Sequence, residues 1–168
     1  MSRVVEFRVL GTPRPAGSKI SHAIRRRDGT YVAQADGRPV VVTREPSRHV
    51  GAWRHVIAAT ASDAMAKLGG ELFTAAIKLD VVFVFARPKS HYSTGKRRGL
   101  IRDASPRYHT HRPDLTKLLR AFEDALTGIV WRDDSQVAIT HAVKQYSVAD
   151  SDIPGAAAAI AELEAGKN

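Results

Sequence analysis

The chain has no cysteine in its 168 residues. A disulfide framework, a thiolate zinc site and a cysteine nucleophile are therefore excluded. Long apolar runs are missing as well: no stretch approaches the roughly 20 residues that span a bilayer, and no basic amphipathic helix offers itself to a membrane surface. The opening Met-Ser-Arg-Val-Val-Glu lacks the apolar centre of a signal peptide, so a cytoplasmic location is expected. There is no internal repeat, no glycine-rich nucleotide loop and no serine triad signature. Acidic residues are scarce, 17 Asp and Glu against 26 Lys and Arg, for a net charge of +9 and a pI near 10.3. An excess of that size concentrates polyanions around the protein, and nucleic acid is the natural partner.

What is present suits one domain over residues 1–168, since 43% hydrophobic residues can build one core at this length. Val4–Leu10 predicts a strand, Tyr31–Ala33 and Pro39–Val42 a hairpin around Asp28-Gly29 and Asp36-Gly37, and Ile77–Phe85 a central strand. Pro46 opens a helix whose apolar stripe is Val50, Trp53, Ile57, Ala61, Ala64 and Leu68, with Trp53 in the core. Residues 87–112 hold eight Lys or Arg, three His and one acid, interrupted by Pro88, Gly95, Gly99 and Pro106, which predicts a flexible basic loop. Val137, Ile139, His141 and Val143 alternate as a strand, with His141 partly buried, and 154–168 predicts a peripheral alanine-rich helix. The order gives an α+β domain, helices packed on a small mixed sheet.

The chemistry concentrates in His111–Gln136. Leu115, Leu118, Leu119, Phe122, Ala125 and Leu126 recur at helical spacing, with Pro113-Asp114 as start and Gly128 as stop. Such a helix is about 18 Å long, while an extended run over 128–134 covers roughly 23 Å. The chain could therefore turn at Gly128, run back, and set Asp134 beside Asp114. Two carboxylates in one small volume take up a proton or hold a cation, and oxygen ligands suit Mg2+ or Mn2+. Metal-assisted phosphodiester hydrolysis is the chemistry this suggests. The plainer alternative makes Asp114 a helix N-cap and Asp133-Asp134-Ser135 a turn.

Arg112-Pro113-Asp114-Leu115-x-x-Leu118-x-Arg120-Ala121-x-x-Asp124-Ala125-Leu126, then Trp131 and Asp133-Asp134-Ser135-Gln136-Val137, resembles the signature of the RusA-type Holliday-junction resolvases. The resemblance covers about 25 consecutive residues. It implies a RusA-like fold in a homodimeric, metal-dependent endodeoxyribonuclease of phage or prophage origin. By resemblance, Asp114 and Asp134 are metal ligands, and Arg120 stands where the family has a catalytically important lysine. A guanidinium keeps that charge without giving up its proton, so it would act on phosphate electrostatically. Thr116 departs from the pattern, because many members carry a second aspartate there. Asp133, Glu123, His109 and His111 are candidates for the missing ligand, although Glu123 also suits an i, i+3 partnership with Arg120.

Lys19 and Arg14 lie in Gly11–Lys19, a Gly-x-Pro-x-Pro-x-Gly-Ser-Lys loop that is also similar to the family's. With Lys96, Arg97, Arg98, Arg112, Lys117 and Lys144 they are the expected DNA contacts. Tyr92 and Tyr108 are loop aromatics that suit packing or base stacking. The expected function is structure-selective cleavage of branched DNA, chiefly four-way junctions, in recombination and repair. The alternatives are a junction-binding protein that no longer cuts, and a flap or single-strand nuclease of phage DNA processing.

Overall fold

Ile77–Phe85 forms strand β4, in which Ile77, Leu79, Val81, Phe83 and Phe85 are buried and the residues between them half-buried. Burial on that scale requires a neighbour along each edge, because unpaired backbone N–H and C=O groups are costly away from water. The computed structural model describes residues 3–17, 20–44, 49–148 and 153–164, and it supplies both neighbours. A four-stranded sheet runs in the order β1 (Val4–Leu10), β6 (Gly155–Glu162), β4, β5 (Val137–Tyr146). Strand β6 is antiparallel to β1 and β4, while β5 is parallel to β4. The sheet is therefore mixed, as the order of elements predicts.

Helices α1 (Val50–Lys67) and α2 (Leu115–Leu126) cover one face of this sheet. Phe122 of α2 stacks on Phe7 of β1 at 6.1 Å and meets Phe83 of β4 edge-on at 5.8 Å. Burying such a ring stabilises by roughly 1.5–3 kcal/mol, and the aromatic geometry adds to it. Trp53 is buried on α1, as its place on the apolar stripe predicts; Met65 closes that stripe in place of the exposed Leu68. The expected start at Pro46 lies outside the described residues. The other face of the sheet carries Glu6, Arg8, Lys78, Asp80 and His141 beside Ala157 and Ala159. His141 is exposed there, its Nδ1 2.8 Å from Asp80 Oδ1, rather than partly buried.

Of the predicted hairpin, Ala33 bridges Pro39 around Asp36-Gly37; the longer ladder is β2 (Ile20–Ala23) against β3 (Val41–Arg44), so that Ala23 and His22, rather than Tyr31–Ala33, pair with Val41 and Val42, and Arg25 bridges Tyr31. Segment 87–112 is not a free loop. It contains 3-10 turns at Lys89–His91 and Gly95–Arg97, and it pairs Tyr92 with Ile101 and Tyr108 with Gln145. Among the described residues no helix is long and apolar enough to cross a membrane.

The peripheral helix expected over 154–168 is overturned: Gly155–Glu162 is a strand in the interior of the sheet. Alanine favours helix by a few tenths of a kcal/mol per residue, but β6 satisfies the backbone of two strands at once, and that tertiary demand prevails. Its small side chains permit close approach. A Cβ built on Gly155 would stand 2.0 Å from the Val9 carbonyl oxygen, a backbone atom that cannot swing aside.

We therefore expect Gly155→Ala to destabilise the fold by at least roughly 1–3 kcal/mol, the range for overpacking. A lowered urea midpoint at unchanged m-value checks this; a wild-type midpoint would refute the account of β6.

Candidate active site

Asp114 precedes α2 in extended backbone and makes no side-chain cap bond to it. Its exposed carboxylate instead faces Lys117, with Nζ 3.5 Å from Oδ2. The loop after β1 folds over this end of the helix. The Ala16 N–H donates to the Lys117 carbonyl at 2.8 Å, and Ala16 is buried with Val50 and Ala121. A groove of about 650 Å³ results, in which Arg14, Arg112, Lys117 and Asp114 line a floor closed by Phe85. Three predicted DNA contacts thus gather around one predicted ligand.

Asp134 is elsewhere. Its Oδ1 accepts from Trp131 Nε1 at 3.0 Å and from the Thr127 hydroxyl, and Thr127 is the C-cap of α2. The two aspartates therefore occupy opposite ends of a helix about 18 Å long. The expected run back along the helix is overturned by the turn that follows it. Gly128 adopts a φ of 78°, its N–H donates to the Trp131 carbonyl, and the N–H groups of Ile129 and Val130 both donate to Leu126. Val130 and Trp131 are fully buried. Burial of the indole pins Asp133 and Asp134 at the C-terminal end, and β5 makes the return journey instead. It delivers Lys144, whose ammonium donates to the His111 and Pro113 carbonyls at 2.6 and 2.7 Å. Lys144 thus braces the approach to Asp114.

Glu123 lies on the same C-terminal pole as Asp134. Partial burial pushes its carboxyl above the usual value, and the charges of Asp134 and Asp124 push it further. Asp124 is held by an ion pair with Arg54 of α1. The pairing of Glu123 with Arg120 is not among the ion pairs of the described residues, and Arg120 is exposed. Asp133 is a turn cap: its side chain accepts from the Ser135 N–H at 2.9 Å and Gln136 closes the capping box, while hydrogen bonds from the Ser135 side chain and backbone hold its pKa down. Lys96, Arg97 and Arg98 stand exposed at the second 3-10 turn, and Lys19 lies outside the described residues. Tyr108 is exposed and Tyr92 half-buried.

A divalent cation fits this donor set only in part. The charge of Asp134 pushes the Glu123 carboxyl up, and a cation between them would be favoured. Yet no group of three His, Cys, Asp or Glu that could hold an ion occurs among the described residues. His109 and His111 lie before Asp114, at the other pole, and supply nothing here. The ligand set within one chain is incomplete.

Compared with known families, residues 25–153 match the one described as Endodeoxyribonuclease RusA. No curated protein matches the chain. The match spans β3, both helices, β4 and β5, and so contains both poles of α2.

An acid whose pKa is raised by folding contributes stability that is complete below its unfolded value, here 4.5, and lost as pH rises through the folded one. We expect Glu123→Gln to melt above wild type at pH 7, with the gap closing as pH falls below that value. Parallel melting curves from pH 4 to pH 7 would contradict the crowding of Glu123 by Asp134.

Proposed function

The chain belongs to the RusA endodeoxyribonuclease family, and from that premise we propose that it is a Mg2+- or Mn2+-dependent nuclease cutting branched DNA, chiefly four-way Holliday junctions in recombination and repair. Membership carries the hydrolysis of DNA phosphodiester bonds; the choice of substrate is our reading. The observation that carries it is the acidic pole at the C-terminal end of α2. Carboxylates there oppose the helix dipole, which favours cations at that end. Glu123, its carboxyl pushed up by burial and by the charges of Asp134 and Asp124, thus gains from a cation beside it.

The incomplete ligand set leads us to propose a homodimer. In a two-fold assembly the basic, Asp114-bearing end of one α2 can face the acidic end of its partner, opposite charges meeting at both contacts. Asp114 of one chain with Asp134 and Glu123 of the other would then hold the ion. A divalent ion there supplies Lewis-acid polarisation of the scissile phosphate. Arg120, charged at any working pH, stabilises negative charge on that phosphate. Arg14, Arg112 and Lys117 hold the adjoining backbone, and Lys96, Arg97 and Arg98 a more distant arm. A four-way junction has two-fold symmetry and needs paired cuts, which a two-fold dimer matches.

Thr116 favours a second reading. It is exposed on the first turn of α2 and offers no carboxylate where many family members have one, so the chain would bind junctions without cutting them.

One experiment separates these readings. Asp114→Asn and Asp134→Asn should each abolish nicking of a four-way junction in Mn2+. Mixed and re-equilibrated, they should restore about one quarter of the sites, because half the dimers are mixed and each holds one intact site. Active wild type with an inactive mixture would overturn the shared site; tight binding by wild type without nicks would establish the second reading.

A further inference from the structure

Behind Phe85, which floors the Asp114 groove, lies a second cavity of about 620 Å³ lined by Arg87, Pro88, His91, His109, His111 and Tyr146 among others. It is built by the basic segment 87–112 folding back onto the ends of β4 and β5. The His109 N–H donates to the Lys144 carbonyl at 3.1 Å, and the Tyr146 N–H to Arg107 at 3.0 Å. His109 stacks on Phe85 with centroids 4.2 Å apart, and both His109 and His91 approach Tyr146 at 4.8 Å.

Three features define what this cavity accepts. Its walls are rings, with no carboxylate among the described residues that line it. Its cation is already committed: Arg87 lies 5.6 Å over the Tyr146 ring, donates from Nε to Ser147 and from Nη1 to Pro106, and points Nη1 toward His91 Nδ1 at 3.4 Å. The guanidinium therefore braces the wall instead of presenting itself to a phosphate. Finally, burial, with Lys144 and His111 nearby, pushes the pKa of the half-buried His109 ring below its usual value, which favours an uncharged ring against a base.

We propose that this cavity binds a single unstacked nucleobase from the DNA strand whose backbone passes Asp114, packed against the histidine rings that line it. Every base has a π face, so rings accept any of them. Because Lys144 ties the His109 strand to the Pro113 carbonyl, the base belongs to a nucleotide neighbouring the phosphate held at Asp114. This site rests on the DNA-cutting function proposed above and would favour DNA that offers an unstacked base. The matched duplex keeps its bases stacked and gains nothing here.

The test uses four-way junctions in Ca2+, with 2-aminopurine placed one position at a time around the crossover, and the matched duplex as control. Wild type should change the emission at one position and bind the junction more tightly than the duplex. His91→Ala and His109→Ala should erase that change and weaken junction binding by roughly 5- to 100-fold, the worth of one stacked base, with duplex affinity unaltered. These residues sit on separate segments, and unchanged circular dichroism melts show that the fold persists; a variant that fails to fold leaves the other to decide. Tight junction binding with no position-specific emission change, or with the same change in both variants, overturns the base site and spares the nuclease reading. No junction binding at all overturns both.

Discussion

Phe122, clasped between Phe7 and Phe83, holds α2 on the sheet, and the groups near α2 take their positions from that contact. The helix is a rigid spacer. With its apolar side seated in the core, Asp114 must stand at one end, Glu123 and Asp134 at the other, and Arg120 on the outward surface between them. Neither aspartate can migrate along the helix without unseating rings that are worth several kcal/mol together. The separation of the two acidic groups thus belongs to the core as much as to the surface.

That spacer also sorts charge. Arg14, Arg112 and Lys117 cluster at the amino end, and Glu123, Asp124 and Asp134 at the carboxyl end. A favourable dipole would place them the other way round. Charge laid against the local field marks a surface shaped for something other than the stability of the lone chain.

Much of this was legible in the residues themselves. The leucine and phenylalanine spacing located α2, the alternation of Ile77–Phe85 located the central strand, and Asp133 with Gln136 has the spacing of the capping box it forms. The turn-back was misjudged because chain reach gives only what a segment can span, not what it does. The corrective signal was Val130-Trp131, an apolar pair that had to enter the core before Asp133 and Asp134 could go anywhere. Alanine concealed β6, since its intrinsic preference is helical and only the two open edges of β1 and β4 demand a strand. The ring-lined cavity left no local trace, as His91, His109 and Tyr146 are far apart in sequence and meet only through the folding back of segment 87–112.

The position of β6 also governs the order of events during synthesis. Strands β1 and β4 share no ladder with each other; each is hydrogen-bonded to β6. The central gap of the sheet stays open until residues 155–162 have left the ribosome, long after both helices have emerged. A nascent chain stalled before that point exposes two unsatisfied edges, which makes it a substrate for chaperones or proteolysis.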